Sequence, residues 1–275
     1  MKRLTYIFLK KIIHFFFSIS RNNQAIRRLI DIFCDENSQN IRKILLKKES
    51  FFFYEVNSVT KYRNDTFFTK EPETLEWING FDDKAEFWDV GANVGLYSIY
   101  AAKLKSCKVT AIEPSVFNLE LLAKNIYLNS LNNTINILPF SLSNEPSIST
   151  FHNTSVLNGS ALSSLENSTQ KIFKPILSEC FYKIPVLTLD LIPSIFNIKK
   201  PKYLKIDVDG LEYEILLGAN KILDNINSVL IEIDEGDKQK SKDIISLLKN
   251  KKFKLEKEGA RNLGVSTVNQ IWKKS

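Results

Sequence analysis

Two glycines and an asparagine lie where an apolar stretch of this sequence meets a helical pattern. In the stretch FWDVGANVGLYSIYAA, Asp89 interrupts the apolar residues at the start. Gly91, Asn93 and Gly95 then follow at alternate positions. A glycine at position 91 allows a tight turn from strand to helix. A glycine at position 95 lets the helix pack closely and leaves room for a ligand. The arrangement predicts a small-molecule site at the end of a strand.

An acidic residue ends the next apolar segment, KVTAIE, about twenty residues after the glycine turn. This residue is Glu113, and Pro114 follows it and stiffens the exit from the strand. A carboxylate at this place is typical of hydrogen bonding to a ribose diol, so the pair of features predicts a nucleoside-containing cofactor. A dinucleotide-binding turn has glycine where Asn93 stands, because the pyrophosphate approaches the backbone there. Asn93 therefore favours a cofactor without phosphates, S-adenosylmethionine.

Four carboxylates follow two later apolar segments. Asp207, Asp209 and Glu212 belong to LKIDVDGLE, and Glu232 belongs to LIEID. If that cofactor serves methyl transfer to an oxygen, the reaction needs alignment and a base for the acceptor's proton, and Asp207 is the first candidate for that base. Asp207 could instead cap a helix or orient the cofactor. A third interpretation is that Asp207, Asp209 and Glu232 hold Mg²⁺, which prefers oxygen ligands.

Two further side chains have alternative interpretations. His152 stands before a Ser-rich segment and could act as a base or contact the acceptor, or could be a solvated loop residue. Lys205 is unusual in an apolar strand, where pairing with a carboxylate is the expected arrangement. The segment NTSVLNGSALSSLENSTQ, residues 153–170, is rich in Ser and Asn and predicts a loop that covers the site as a lid.

The elements that must position these residues alternate between strand and helix from about residue 85. The segments EFWDV, KVTAIE, TINILPF, KIPVLTLDLI, KYLKIDVDG and SVLIEID have strand patterns, and helical patterns lie between several of them. This alternation predicts an α/β fold with a doubly wound, mostly parallel, Rossmann-like sheet. The final segments FKLEK and STVNQIW have no helix between them, which predicts an antiparallel hairpin at one edge.

The N-terminal quarter of the chain has a different pattern. Residues 1 to about 48 have a mostly helical and basic pattern, and FFFYEVNSV and TFFTK predict a hairpin. We therefore divide the chain into an extension of helix and hairpin at residues 1–70 and a ligand-binding domain at residues 71–275. An insertion loop is expected at residues 153–182.

Composition limits the cellular setting and the partners. The chain has 275 residues, a net charge of +7 and three widely spaced cysteines, Cys34, Cys107 and Cys180. This spacing predicts neither a disulfide framework nor a zinc site and favours a cytoplasmic protein. The first twenty residues are basic and Phe-rich, which predicts either a helix docked on the protein or one lying on a membrane surface. A nucleic acid is the less favoured explanation of the charge.

The motifs as a set resemble the FkbM family of S-adenosylmethionine-dependent methyltransferases. The resemblance runs from about residue 72 to 235, through DVGANVGLYS, IEPSVFNLELLAKNIYLN, FSLSNE, VLTLDLI, LKIDVDGLEYEILLGA and LIEID. It implies a class I methyltransferase fold. Asp209 departs from the pattern, because the family commonly has Glu there.

The resemblance also implies roles by position. The methionine end of the cofactor would be lined by the first motif, and Glu113 would bind the ribose. Asn118 would contact the adenosine, and Ser141 and Leu142 would lie beside the adenine. The residues of the first motif are Asp89, Gly91, Asn93 and Gly95.

These features predict an O-methyltransferase that acts on a hydroxyl of a sugar, a glycan or another small molecule. Three alternatives make different predictions. An NAD-dependent reductase or epimerase should bind NAD, and a nucleic-acid methyltransferase should bind RNA or DNA with strong salt dependence. A membrane-associated module without turnover should bind the cofactor alone.

Overall fold

The computed structural model describes residues 40–46, 48–161, 163–165, 180–260 and 266–275, together with residues 11, 12, 15, 18, 23–28 and 32. The chain divides into two compact units, Met1–Ile41 and Arg42–Ser275. In the first unit, described residues such as 24–28 are helical. Most of the first twenty residues, for which a docked or membrane-surface helix is predicted, lie outside the described residues. Within the described part of the chain, no helix has the length and apolar character needed to cross a membrane.

The second unit combines strands with short helices. Strand β1 (Ile41–Leu46) begins at the last residue of the first unit and continues into the second. The other strands of the second unit are β2 (Glu49–Tyr54), β3 (Glu86–Val90), β4 (Lys108–Ile112), β5 (Ile135–Leu138), β6 (Ser141–Leu142), β7 (Ser147–Asn153), β8 (Ser164–Leu165), β9 (Cys180–Leu187), β10 (Tyr203–Ile206), β11 (Ser228–Asp234), β12 (Phe253–Glu258) and β13 (Thr267–Lys274). Its α-helices are α1 (Ser58–Asp65), α2 (Pro72–Asn79), α3 (Leu96–Lys105), α4 (Val116–Leu128), α5 (Ile192–Phe196), α6 (Glu212–Leu217), α7 (Asn220–Leu223) and α8 (Lys238–Asn250).

The largest sheet has the strand order β12-β13-β11-β10-β3-β4-β5. Neighbouring strands from β11 to β5 pair in parallel, whereas β13 pairs antiparallel with both β11 and β12. The predicted mostly parallel sheet with a C-terminal antiparallel pair is thus confirmed. The structure adds that β13 enters between β11 and β12. Phe87 and Trp88 are adjacent in β3 and both fully buried, so both faces of the sheet are covered.

The register of this sheet places the ends of β3, β4 and β10 at one level, beside the middle of β11. Val90 at the end of β3 pairs with Ile112 on one side and with Ile206 on the other, and Ile206 pairs with Ile231. The residues that follow these four positions therefore lie side by side; three of them leave the sheet, and the one on β11 stays paired with β13. They are Gly91, Glu113, Asp207 and Glu232.

A second sheet, of order β6-β9-β7-β8, contains part of the predicted insertion. β7 pairs antiparallel with β9 along its length and with β8 at its end. The insertion predicted as a loop at residues 153–182 therefore carries strand β8 and the start of β9. Residues 166–179 lie outside the described residues.

The N-terminal hairpin is present, but its two strands are not the two that the sequence predicted. β2 forms a two-stranded sheet with β1, which lies before it, so residues 41–46 are strand where a helical pattern was expected. The segment TFFTK, predicted as the second strand, forms turns instead. The reason is aromatic packing, because Phe67 lies edge-on to Phe51 and Phe53 of β2 at centroid distances of 5.8 and 5.5 Å.

Candidate functional site

The first cavity opens at the carboxyl ends of β3, β4 and β10, where a doubly wound sheet binds its ligands. Its empty volume is about 570 Å³, including space that is open to solvent. Its walls include eight of the residues predicted to bind a cofactor, which are Gly91, Asn93, Glu113, Pro114, Asn118, Ser141, Leu142 and Asp207. Phe140 and Phe151 supply an apolar wall suited to a flat heterocycle.

Glu113 is a buried residue in the wall of this cavity, and its carboxylate accepts several hydrogen bonds. Its Oε2 accepts a hydrogen bond from the Asn93 amide at 2.8 Å, and its Oε1 accepts bonds from the Ser115 amide at 2.9 Å and from Asn118 Nδ2 at 3.3 Å. Burial raises the pKa of Glu113 to about 7, although these donors act in the opposite direction. Three donors leave an ionised carboxylate with about one further acceptor position. That position suits a hydroxyl donor such as a ribose.

A short strap, defined here as residues 158–160, runs beside the first cavity and forms part of its wall at Ser160. Asn93 Nδ2 and Asn118 Nδ2 donate to the Ser160 carbonyl at 2.9 and 3.2 Å, and Asn118 Oδ1 accepts from the Gly159 amide at 2.8 Å. Arg63 Nε donates to the Gly159 carbonyl at 2.6 Å. The strap belongs to the Ser-rich segment predicted as a lid, and it is bonded to two predicted cofactor residues.

We expect Asn158→Ala to loosen the strap without unfolding the protein. Asn158 Nδ2 donates to the Phe117 carbonyl at 2.6 Å, and loss of one such bond should lower the local opening free energy by about 1 kcal/mol. Hydrogen exchange at the Gly159 amide should become several-fold faster. Asn225→Ala is the control, because Asn225 makes the same type of bond to Lys221 at a remote, exposed place. Unchanged exchange at Gly159 would show that Asn158 does not secure the strap.

The second cavity adjoins the first and has an empty volume of about 760 Å³. The two share lining residues at Gly91, Asn93, Ala161, Asp207 and Asp209. The two cavities therefore lie next to each other beside the end of β10. This is the arrangement that group transfer between two bound molecules requires.

Asp207 is held by a buried lysine at the junction. Lys205 Nζ donates to Asp207 Oδ2 at 2.6 Å and lies 4.0 Å from Asp89 Oδ1. Burial raises the pKa of Asp207, but the Lys205 ammonium outweighs it and holds this pKa below its usual value. The expected pairing of Lys205 with a carboxylate is present. A carboxylate with a lowered pKa is a weak base, which weakens the first choice of Asp207 as the proton acceptor.

Glu232 has the opposite electrostatics. It lines the second cavity and its Oε1 accepts a hydrogen bond from Thr267 Oγ1 at 2.9 Å. Burial and the nearby charge of Asp207 raise the pKa of Glu232 to about 8. Geometry and basicity therefore both favour Glu232 for accepting a proton in the second cavity.

The turn after β10 is shaped by Glu212 and Asp209. Glu212 Oε1 accepts from the Gly210 amide at 2.9 Å and from the Val208 amide at 3.3 Å, so this carboxylate supports the turn and lines neither cavity. Asp209 lines both cavities with a backbone φ of +56°. A short polar side chain tolerates this left-handed conformation better than most residues do.

Three predicted site residues line neither cavity. Asp89 is 1% exposed, and its Oδ2 accepts a hydrogen bond from Ser98 Oγ at 2.6 Å, which connects β3 to α3. Its Oδ1 lies 4.0 Å from the Lys205 ammonium. Gly95 permits close packing, because a Cβ there would lie 2.5 Å from Leu122 Cδ1. His152 lies on β7 with its ring 5.8 Å from that of Phe181, away from the carboxylates.

The magnesium hypothesis finds no support in the geometry. Among the described residues, no group of three or more His, Cys, Asp or Glu side chains is arranged to hold a metal ion. Asp207 is instead paired with Lys205, as described above.

Several lining residues of the second cavity were not predicted from the sequence. They come from the segment before the glycine turn and include Arg63, Lys70 and Glu71. Tyr97 on α3 also lines this cavity, and its hydroxyl donates to Glu71 Oε2 at 2.8 Å. Nothing in the sequence pattern marks these positions, because charged residues on a short helix, such as Arg63, or between two helices, such as Lys70 and Glu71, are usually solvated. Their relation to the site depends on tertiary packing, in which β2 packs against α3 and α4 and Arg63 bonds to the strap.

Comparison with known sequences identifies a family. The model of the methyltransferase FkbM domain matches residues 89–255, which is more than half of the chain. Hexuronic acid methyltransferase AglP of Haloferax volcanii is 27% identical over 169 residues. That match covers 62% of this chain and 63% of the relative, which is less than two thirds of the relative's length.

Comparison with solved structures gives more distant similarities. An rRNA methylase from Streptococcus thermophilus has a TM-score of 0.46 at 11% identity, covering 74% of this chain and 94% of that chain. A tRNA (m1A22) methyltransferase described as putative, Sp1610 of Streptococcus pneumoniae in complex with S-adenosyl-L-methionine, has a TM-score of 0.45 at 12% identity, covering 74% and 72%. These identities are too low to transfer a substrate to this chain.

Proposed function

The chain belongs to the FkbM methyltransferase family, and on this basis we propose that it transfers a methyl group from S-adenosylmethionine to a hydroxyl oxygen of a sugar, a glycan or a related small molecule. One structural observation carries the proposal. The sheet register brings Gly91, Glu113, Asp207 and Glu232 to one edge, where two adjoining cavities can hold a cofactor and an acceptor.

The residues of the first cavity fit this cofactor. Glu113 retains an acceptor position for a ribose hydroxyl, and the aromatic wall suits an adenine. Asn93 does not offer its backbone amide to a pyrophosphate, since that amide donates to Glu113 and the side chain donates to the Ser160 carbonyl of the strap. These features favour a nucleoside with an amino-acid tail over a dinucleotide.

The residues of the second cavity fit a hydroxyl acceptor. When bound, S-adenosylmethionine supplies an electrophilic methyl group and a good leaving group, so this chain has to align the acceptor and take its proton. We assign the proton to Glu232, whose pKa of about 8 suits a base near neutral pH. Asp207 stays ionised in its ion pair with Lys205, at the place where the two cavities adjoin. The named activity of the Haloferax relative supports a carbohydrate acceptor.

The first test is titration of the purified protein with S-adenosylhomocysteine, with NAD as the parallel ligand. We expect micromolar binding of the former and none of the latter. Clear binding of NAD without binding of S-adenosylhomocysteine would overturn the proposal in favour of a reductase or an epimerase. Glu113→Gln should weaken the binding by tenfold or more, because it removes a charged hydrogen-bond acceptor.

The pH dependence of this binding tests Glu113 specifically. The ionised carboxylate is the form that accepts the ribose hydroxyl, and its pKa is about 7 in the free protein. Affinity for S-adenosylhomocysteine should therefore fall as the pH decreases through about 7, by up to tenfold per pH unit below it. In Glu113→Gln the affinity should be low and nearly constant over the same range. A native affinity that stays constant from pH 8 to pH 5.5 would remove Glu113 from the contact.

A further inference from the structure

Arg63 connects the N-terminal part of the described unit to the site. It lies in the last turn of α1, before the residues matched by the family model, and is half-buried. Its Nε is occupied by the Gly159 carbonyl of the strap at 2.6 Å, while the residue also lines the second cavity. The bond at Nε limits the rotation of the guanidinium group, so its other N–H groups are held in place.

The charges of the second cavity leave Arg63 without an ionic partner. Lys70 Nζ pairs with Glu71 Oε1 at 2.6 Å, and Lys205 pairs with Asp207 at the same distance. Among the described residues, no carboxylate forms an ion pair with Arg63. Its charge still reaches the junction, because it contributes to the lowered pKa of Asp207.

The cavity is therefore divided by charge. The carboxyl groups of Asp207, Asp209 and Glu232 lie on β11 and beside the end of β10, while Arg63 reaches the cavity from α1 and has no ion pair among the described residues. A neutral acceptor would leave this half-buried guanidinium without a charged partner. An acceptor with a hydroxyl at one end and an anion at the other would satisfy both ends, and guanidinium binds carboxylate and phosphate through two parallel hydrogen bonds.

We infer that Arg63 binds an anionic group, a carboxylate or a phosphate, on the acceptor, so that the substrate class is an acidic or phosphorylated sugar. This inference rests on the proposed function, because it assigns the second cavity to the acceptor. It adds a specificity residue from outside the segment that the family model matches.

The test compares three sugars on protein saturated with S-adenosylhomocysteine and on protein without it. Calorimetric titrations with glucuronate, glucose 6-phosphate and glucose separate a carboxylate, a phosphate and a neutral analogue. We expect at least one anionic sugar to bind tenfold or more tightly than glucose. Arg63→Gln should abolish that preference, and Arg63→Lys should retain part of it, since lysine keeps the charge but not the planar fork.

The matched control is Lys61→Gln. Lys61 lies on the same helix, is exposed and pairs with Asp65 at 2.7 Å, so its loss removes one positive charge without altering the cavity. This variant should keep the native preference. Thermal melts of every variant identify any loss of folding, and Arg63→Lys provides a second measurement if Arg63→Gln fails to fold.

Two results would overturn the inference. One is equal affinity for glucose and for both anionic sugars in the native protein. The other is an Arg63→Gln variant that loses affinity for S-adenosylhomocysteine but keeps the preference for an anionic sugar, which would assign Arg63 to the cofactor's own carboxylate. Failure of the native protein to bind S-adenosylhomocysteine would contradict the proposed function instead, and the titrations without it would still test Arg63.

Discussion

We expect Glu232→Gln to lower the rate of methyl transfer by about 10²- to 10⁴-fold, the usual contribution of a positioned general base. The amide has nearly the same shape but cannot take the acceptor's proton. Glu232 does not line the first cavity, so affinity for S-adenosylhomocysteine should change little. The measurement is kcat with an acceptor identified by the sugar titrations, beside the dissociation constant of S-adenosylhomocysteine.

The pH profile distinguishes this role from a structural one. With a pKa of about 8, Glu232 is largely protonated at neutral pH, so native kcat/KM should rise with pH up to about 8. Removing the Thr267 hydrogen bond with Thr267→Val should raise this pKa and move the profile to higher pH. Glu120→Gln, an exposed change on α4, is the control and should leave the profile unchanged.

Asp207→Asn is the competing variant. Asp207 would be the base if its amide variant lost turnover with normal cofactor affinity while Glu232→Gln kept native turnover. That result would restore the first choice made from the sequence. We expect Asp207→Asn instead to affect both cofactor affinity and turnover, because its partner Lys205 would be left buried without its nearest carboxylate.

We expect Gly91→Ala to have the largest effect on folding. A Cβ at this position would lie 1.8 Å from the Asp207 carbonyl oxygen, and the backbone φ of +79° is unfavourable for alanine. The ends of β3 and β10 would have to separate. Together these effects should lower the free energy of unfolding by about 2–5 kcal/mol. Folded protein that remains should bind S-adenosylhomocysteine at least a hundredfold more weakly.

Gly80→Ala is the matched control for this variant. Gly80 has a backbone φ of −81° at the end of α2, and the nearest atom to a Cβ there is the Trp77 carbonyl oxygen at 3.3 Å. Urea unfolding should show a change below about 1 kcal/mol for this variant. Equal losses in the two variants would show that the effect at Gly91 is not due to the contact with Asp207.

The features that sequence analysis located correctly are local ones. A strand that ends in a glycine turn before a helix depends on residues within a few positions of each other, so Gly91, Asn93 and Glu113 could be placed in the first cavity. The alternation of strand and helix likewise predicted the parallel sheet, because period and turn residues are properties of short segments. The TFFTK strand was wrong, because the burial of Phe67 against Phe51 and Phe53 outweighed its strand propensity.

The amino-acid sequence by itself determined the family, the parallel sheet and many of the residues that line the first cavity, because these depend on motifs of ten to twenty residues whose spacing is visible along the chain. Only the tertiary structure decided which charged residues meet in the second cavity. It showed that Lys205 neutralises Asp207, that Glu232 stands beside them with a raised pKa, and that Arg63 reaches the same cavity from a distant helix. The pKa of a side chain depends on its burial and on all the charges near it. The sheet register and the helix packing bring those neighbours together from distant parts of the chain, so no short sequence pattern predicts them.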